Sequence, residues 1–275
     1  MNQPLVSIEN LHVRFRTYAG VVHAVNGVTF DIRRGETFGL VGETGCGKTV
    51  TGLSLLRLVP PPGEIVDGRI TFDGRDILSL SEQEMQDIRG AGISMIFQDP
   101  AASLNPVFSV GEQIEMVIRQ HQSVTRKIAR QRTLEMLEAV GLPDPPQILR
   151  AYAHELSGGM QQRVMIALAL AQEPEVLLLD EPTVHLDLAH QVEVLELIAG
   201  LNGQRGLTVL AVLHDLNLAA LYFPRLVLLE RGRIVAEGAP MQVLSEETIA
   251  RVFGATVRVQ PHPTADRPHI IVLPG

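Results

Sequence analysis

The sequence predicts an α/β fold with an antiparallel β-layer on the N-terminal side of its core and an inserted α-helical subdomain. The first indication is a glycine-rich stretch at residues 42–49, which lies between a short apolar strand and a helix. The second is a series of further short apolar runs that end in polar residues, at 93–97, 176–179 and 207–213. The third is the stretch 99–156, where the apolar spacing is helical. Buried strands that alternate with helices are typical of α/β cores.

The N-terminal segments predict the β-layer. Leu5 to Phe15 and Val25 to Ile32 alternate apolar and polar residues, which is typical of half-buried strands. A strand pair is predicted within 68–80, around a turn at Asp73-Gly74. Between these segments, Val50 to Leu58 is predicted to be a helix that ends at the prolines of 60–62. A second hairpin is predicted at 226–237, with its turn at Arg231-Gly232.

The middle of the chain predicts the helical insertion. Residues 110–121 and 124–141 are predicted helices, and the second carries Leu134, Leu137 and Val140 on one face. Residues 101–106 are predicted to be a loop. We therefore expect one domain over 1–275, with a core formed by 1–98 and 157–245. The helical subdomain is expected at 99–156 and a C-terminal extension at 246–275.

Composition limits the class of protein. The net charge of −8 and a pI near 5.6 argue against a nucleic-acid partner. The single cysteine, Cys46, excludes an intrachain disulfide and fits a reducing compartment. No apolar run approaches the ~18 residues of a membrane-spanning helix, and Met1 to Pro4 do not begin like a signal peptide. We expect a cytoplasmic protein, and the apolar fraction of 45% leaves room for a partner-facing surface.

The stretch Gly42–Thr49 fits the pattern G-x4-G-K-[ST] of a phosphate-binding loop. Its glycines let backbone N–H groups turn inward as an anion nest at the positive end of a helix. Lys48 is expected to reach the β- and γ-phosphates, and the Thr49 hydroxyl to ligate Mg²⁺. The predicted ATP contacts of this region are Gly42, Glu43, Thr44, Gly45, Cys46, Gly47, Lys48, Thr49 and Val50. A plain glycine-rich turn is the alternative, and the strand and helix on either side argue against it.

Two further strand ends carry candidate catalytic groups. The run Val176–Leu179 delivers Asp180, a candidate Mg²⁺ ligand, and Glu181, a candidate general base for the attacking water. The strand at 207–213 ends at His214, whose neutral imidazole can donate to a γ-phosphate. Each feature also has a purely structural interpretation, as an acidic strand end or a structural histidine.

A second anion site is predicted at Ser157-Gly158-Gly159, which opens another helix. Ser157 is a natural N-cap, and the two glycines leave the first backbone N–H groups uncovered. One nucleotide needs only one phosphate loop, so a second such helix start suggests a composite site. A simple helix start is the structural alternative.

These motifs, taken in order, resemble the ATP-binding subunits of ABC transporters over essentially the whole chain. The resemblance rests on 42–49, Gln98, Leu156–Gln162, Val176–Glu181, Leu186-Asp187 and His214. It implies a core like that of other phosphate-loop NTPases (RecA-like). It also implies a head-to-tail dimer in which each ATP lies between one chain's phosphate loop and Ser157, Gly158, Gly159 and Gln161 of the other.

The resemblance also implies individual roles. Glu181 would be the general base and His214 the γ-phosphate switch, while Gln98 would report on Mg²⁺ and γ-phosphate to a membrane subunit. Asp187 would lie in the loop that links the two sites across the dimer. Phe15 matches the adenine-stacking aromatic better than Tyr18 does. From the residues alone, an aromatic that closes one end of the β-layer is an equal alternative for this region.

The finer resemblance is divided. Residues 42–163 are similar to the peptide and nickel importer ATPases, notably at Gln98–Pro106. From about Ala167 the chain is similar to the iron-siderophore, haem and cobalamin importer ATPases, in 182–188, 213–217 and 257–273. Val184 departs from the small hydroxyl residue expected there. We expect the helical insertion to choose the permease, which favours peptide or nickel uptake.

The resemblance implies partners as well. These are integral-membrane permease subunits, a second ATPase subunit that is identical or paralogous, and indirectly an extracytoplasmic solute-binding protein. It places the chain at the cytoplasmic face of the plasma membrane, with ATP and Mg²⁺ as ligands. A soluble ABC ATPase of repair or translation, and a kinase or GTPase, are weaker alternatives. His262 and His269 are too few to predict a metal site.

Overall fold

The computed structural model describes residues 3–274, so the predicted domain ends at 1–2 and 275 lie outside the described residues. Contacts divide the chain into two compact units. Unit 1 comprises 1–85 with 208–275, and unit 2 comprises 86–207. The mixed α/β class and the N-terminal antiparallel layer are both confirmed.

Unit 1 contains the antiparallel layer, whose strands lie in the order β2-β1-β4-β5. Their bounds are β1 Val6–Thr17, β2 Gly20–Ile32, β4 Gly63–Phe72 and β5 Arg75–Asp76. In β1, Val6 is opposite Ile32 of β2 on one side and Phe72 of β4 on the other. The turn between β4 and β5 falls at Asp73-Gly74, as predicted, and both residues have positive φ.

Unit 1 also contains the phosphate-loop strand β3 (Thr37–Gly42), all six of whose residues are buried. It pairs in parallel with β8 (Thr208–Val212) and β9 (Arg225–Glu230), and β10 (Arg233–Gly238) pairs antiparallel with β9. The remaining elements are α1 Lys48–Leu55, α9 Leu216–Tyr222, α10 Pro240–Val243, α11 Glu246–Phe253, β11 Val257–Pro261 and β12 Pro268–Val272. The predicted hairpin at 226–237 is confirmed, whereas the hairpin of β11 and β12 was not predicted.

Arg225 ties several strands of unit 1 together. Its guanidinium donates to the Asp31 carbonyl at 2.9 Å and to Glu36 at 3.1 Å, and it also bonds Glu237. It lies 4.9 Å above the Phe38 ring, within cation–π range. Burial works to lower the pKa of Arg225, but the hydrogen bonds with Glu237 and Glu36 raise it overall. These contacts fix the strand from which the phosphate loop emerges.

Unit 2 contains two parallel strands, β6 (Ile93–Ile96) and β7 (Val176–Asp180), with Ile96 opposite Leu179. Its helices are α3 Pro100–Ser103, α4 Val110–His121, α5 Arg126–Ala139, α6 Pro145–Ile148, α7 Gly158–Leu170 and α8 Leu188–Arg205, with a 3-10 turn at Ala153–Glu155. Helix α2 (Glu82–Ile88) spans the boundary between the units in sequence. The predicted helix at 110–121 is confirmed.

The prediction of a loop over 101–106 is wrong at its start, because α3 forms there. Asp99 initiates this short helix: its side chain accepts from Ala102 N at 3.1 Å and its carbonyl from the Ser103 hydroxyl at 2.8 Å. Helix α4 begins with a capping box, in which the side chains of Ser109 and Glu112 each accept a hydrogen bond from the other residue's backbone N–H. The bonds from Ser109 lower the pKa of Glu112.

Candidate active site

The phosphate loop joins β3 to α1, and two of its glycines cannot be replaced without collision. A Cβ on Gly42 would lie 2.3 Å from the Leu229 carbonyl oxygen, and one on Gly47 would lie 2.3 Å from that of Ala24. Gly45 and Gly47 also adopt positive φ, +80° and +104°. Glu43, Thr44 and Gly45 are exposed, whereas Cys46, Gly47 and Lys48 are buried. The loop therefore turns an open backbone surface outward at the start of α1.

Lys48 extends back along this loop. Its ammonium donates to the Gly42 carbonyl at 2.7 Å and to the Glu43 carbonyl at 2.9 Å, and the residue is only 4% exposed. Both acceptors are uncharged, so the buried cation has hydrogen bonds without a neutralising carboxylate from either of them. An anionic phosphate at the loop would supply the missing charge. Thr49 and Val50 follow in the first turn of α1 and are half-buried.

His214 emerges at the same sheet edge as the phosphate loop. Strands β3 and β8 are parallel neighbours, with Leu40 opposite Val212, and Leu213 N donates to the Leu40 carbonyl at 2.9 Å. The carboxyl ends of both strands therefore lead to one edge, where binding sites of α/β sheets usually form. His214 is exposed there, and Asp215 caps α9 by accepting from Leu218 N at 2.9 Å.

Phe15 is half-buried within the antiparallel layer. It lies opposite Gly63 of β4, and a Cβ on Gly63 would be 2.6 Å from the ring. Tyr18 is fully exposed near the turn between β1 and β2. The packing over Gly63 agrees with an aromatic that closes one end of the layer, and adenine stacking by Phe15 stays a prediction.

In unit 2, Gln98 and Glu181 meet directly. They follow the parallel strands β6 and β7, and Gln98 Nε2 donates to Glu181 Oε2 at 2.7 Å. Asp180, the last residue of β7, is 4% exposed. Glu181 has a φ of +53°, a conformation that costs a non-glycine residue about 1–2 kcal/mol. Such strain is concentrated at functional sites. Here it occurs at Glu181, where the chain leaves β7 directly after Asp180.

The predicted second anion site lies at the start of α7. The Ser157 hydroxyl accepts from Met160 N at 3.4 Å, and Ser157 and Gly158 are exposed. Gln161 is half-buried, and its amide donates to the Ala153 carbonyl at 2.8 Å and to the Leu156 carbonyl at 3.2 Å, while its contact with a partner's nucleotide stays a prediction. Ser157 and Gly158 are thus the exposed residues of this helix start, and Met160 beside them is half-buried like Gln161.

Asp187 caps α8 and holds a histidine that sequence reasoning missed. One carboxylate oxygen accepts from the backbone N of His190 at 2.9 Å and contacts its ring Nδ1 at 2.7 Å. These hydrogen bonds lower the pKa of Asp187. The spacing Asp-x-x-His is the signal that would have found His190, because side chains three positions apart lie on one helix face.

Cys46 is expected to alkylate slowly despite its place in the phosphate loop. Burial raises the pKa of the thiol above its ordinary value, and the nearby Lys48 charge only partly opposes this. Less thiolate is then present at neutral pH, so we expect N-ethylmaleimide to label native Cys46 about tenfold more slowly at pH 7 than the unfolded chain. The rate should keep rising at pH values where an ordinary thiol has levelled off.

Labelling followed by mass spectrometry, with and without ATP, measures this rate. ATP is expected to protect the thiol, and labelled protein is expected to lose turnover. Native labelling as fast as in urea would contradict the effect of burial on the thiol, and turnover unchanged after complete modification would contradict the placement of Cys46 in the nucleotide site.

The fold and these two groups of residues define a phosphate-loop nucleoside triphosphatase. The family described as ABC transporter matches residues 25–184, from β2 to just beyond Glu181. The chain belongs to this family, as one of its ATP-binding subunits, and hydrolyses ATP. Over residues 3–274, none of the helices combines the length and the apolar composition needed to cross a bilayer.

Two relatives and one solved structure illustrate the similarity. The dipeptide transport ATP-binding protein DppD of Bacillus subtilis (strain 168) is 45% identical over 86% of this chain and 71% of its own length. The oligopeptide transport ATP-binding protein OppD of the same organism is 39% identical over 98% of this chain and 76% of its own. The dimeric ATP-binding cassette MJ0796, bound to ADP and Pi, superposes with a TM-score of 0.76 at 28% identity, covering 86% and 98% of the two chains.

Proposed function

We propose that this chain is the ATPase subunit of an importer of the peptide or nickel uptake type. Two such subunits close on two ATP molecules and thereby move a membrane permease. The observation that carries the proposal is a pair of exposed turns that each lead into a helix, at 43–45 of the phosphate loop and at Ser157-Gly158, in a chain 45% identical to a dipeptide transport subunit.

The residues around the ATP phosphates divide the work. Lys48 and the backbone N–H groups of the loop bind the phosphates and stabilise charge as it develops. Glu181 orients the attacking water and accepts its proton. Gln98 restrains the Glu181 carboxylate through its 2.7 Å hydrogen bond and would release it when the site closes. His214 donates to the γ-phosphate from the sheet edge.

The residues present fit a Mg²⁺ ion. Thr49, Gln98 and Asp180 offer hydroxyl, amide and carboxylate oxygens, the hard ligands that Mg²⁺ prefers, and Asp180 is a buried carboxylate at a strand end. No cluster of three His, Cys, Asp or Glu side chains occurs in the described part of the chain. Mg²⁺ usually takes few carboxylates and keeps water and phosphate ligands. When bound, the ion would neutralise charge on the phosphate oxygens.

The composite site predicts the effect of Ser157→Arg. A bulky cation at the exposed start of α7 should block closure of the dimer, because the partner's nucleotide would approach this surface. We expect turnover to fall about 100-fold, with ATP binding by the monomer unchanged. Stopped-flow binding of a fluorescent ATP analogue and a steady-state ATPase assay measure both, with Ser123→Arg on an exposed loop as the control. Normal turnover in Ser157→Arg would refute the composite site.

The proposed partners follow from the importer assignment. They are integral-membrane permease subunits, a second ATPase subunit that is identical or paralogous, and indirectly an extracytoplasmic solute-binding protein, which place the chain at the cytoplasmic membrane face. The names of DppD and OppD support peptide cargo. OppD matches 98% of this chain, including the C-terminal part that resembles siderophore importers, so the siderophore alternative is not favoured.

Purification of the chain from its own membranes in mild detergent tests this function. Mass spectrometry is expected to identify a peptide-type permease pair in the complex, and substrate peptides with their binding protein should stimulate its ATPase activity. A permease of the siderophore or cobalamin type would overturn the cargo assignment. Recovery without any membrane partner would overturn the transporter assignment.

A further inference from the structure

His190 occupies the space in which a side chain at residue 159 would lie. A Cβ built on Gly159 would be 2.3 Å from ring Cδ2, 2.9 Å from Cγ and 3.1 Å from Nε2, so all three of its nearest atoms belong to His190. Gly159 is buried in the first turn of α7, directly after the exposed Ser157 and Gly158. The imidazole therefore packs edge-on against the backbone of the Ser157-Gly158-Gly159 turn, here called the signature turn.

Asp187 fixes this imidazole from its other edge. The contact between ring Nδ1 and the Asp187 carboxylate is 2.7 Å, and hydrogen bonds from His190 keep the pKa of Asp187 low. An ionised carboxylate only accepts hydrogen bonds, so Nδ1 must carry the proton and donate it. The ring is thus held between Asp187 on one side and Gly159 on the other, and its orientation is set by both.

We propose that His190 is a positioning residue that couples the signature turn of α7 to the Asp187 turn of α8. This inference rests on the proposed function, in which both turns act on the partner chain's nucleotide site. The rigid ring acts as a spacer between the two turns. Its hydrogen bond to Asp187 fixes its orientation, and its contact with Gly159 fixes how closely the two turns approach. The two turns then meet the partner as one rigid surface.

The first experiment separates the two contacts by substitution in the full chain. His190→Ala removes both but keeps the backbone N–H that Asp187 accepts, so the helix cap is preserved. We expect kcat to fall about tenfold with KM for ATP within about twofold, because ATP first binds the phosphate loop. His190→Asn restores a hydrogen-bond donor to Asp187 but not the ring that contacts Gly159. His190→Phe restores a ring against Gly159 but not the donor to Asp187. Each should recover part of the lost kcat, and His262→Ala is the matched control outside α7 and α8.

The second experiment uses the predicted collision. Gly159 is helical and not in the left-handed region, so alanine is acceptable to the backbone and favours the helix. Gly159→Ala should lower kcat about tenfold by displacing His190. In the His190→Ala background the same Cβ meets no ring, so Gly159→Ala should cause a smaller fold loss of kcat there than in the wild-type chain. Equal losses from Gly159→Ala in both backgrounds, or wild-type kcat in His190→Ala, would overturn the proposal.

A third measurement distinguishes this failure from that of the proposed function. In a Glu181→Gln background, ATP-dependent dimerisation reports on the composite site itself. If that dimer forms and His190→Ala leaves both kcat and dimer affinity unchanged, only the role of His190 is wrong. If Glu181→Gln stays monomeric with ATP bound, the composite site is wrong, and the spacer has no partner surface to present.

Discussion

Glu181→Gln is expected to reduce ATP turnover by about 1000-fold while ATP affinity stays within about twofold of wild type. The substitution keeps the size of the side chain and removes only its capacity to accept a proton. The neighbouring Asp180 stays in place as the proposed Mg²⁺ ligand, so nucleotide binding should persist. Steady-state ATPase assays and equilibrium titration with a fluorescent ATP analogue measure the two quantities separately.

Glu196→Gln is the matched control for this prediction. Glu196 is an exposed glutamate on α8, so the same change of charge should leave turnover unaltered. Turnover within tenfold of wild type in Glu181→Gln would mean that another group activates the water. A parallel loss of ATP affinity would instead assign Glu181 to binding.

Lys48→Ala is expected to lower kcat/KM by at least about 1000-fold and to weaken ATP binding by about tenfold or more. The ammonium is buried in the loop and hydrogen-bonds two carbonyls, and we propose that it also contacts a bound phosphate. Its loss removes both ground-state binding and stabilisation of the charge that develops during transfer. Isothermal titration and ATPase assays measure the two effects.

Lys127 provides an unusually direct control, because it is the second of the chain's two lysines. It is exposed on α5, and Lys127→Ala should leave both binding and turnover unchanged. Near-normal ATP binding in Lys48→Ala would contradict the assigned role of the loop. Thermal unfolding of both variants shows whether a loss arises from the site or from the fold.

Local sequence patterns predicted the helices and strands whose residue types are set by one strong requirement, such as burial or a positive φ. Strand β3 and its loop follow from an apolar run and from glycines that need positive φ, and α4 begins and ends at the predicted residues. Short helices such as α3 and α6 were not predicted, because four residues are too few to show the apolar repeat of a helix. The hairpin of β11 and β12 also escaped, since its pairing depends on contacts such as that between Asn217 and Ile270, 53 positions apart.

The candidate site, like the fold, was predicted from the sequence only in part. Sequence order placed Gln98 and Glu181 at strand ends, and the parallel pairing of β6 with β7 accounts for their meeting at 2.7 Å. The sequence does not determine that the Gln161 amide donates to the carbonyls of Ala153 and Leu156, because a glutamine in the first turn of a helix can point outward or inward. It also missed His190, whose role depends on how closely α7 and α8 pack at Gly159.

We propose that two chains enclose two ATP molecules, and the oligomeric state of Glu181→Gln tests this most directly. Sedimentation velocity without nucleotide and with saturating ATP and Mg²⁺ would measure the mass, and the nucleotide that stays with the protein would be counted by chromatography. We predict a monomer without ATP and a dimer that retains two ATP, with no dimer when Ser157→Arg is added. A chain that binds ATP and remains monomeric would contradict the account.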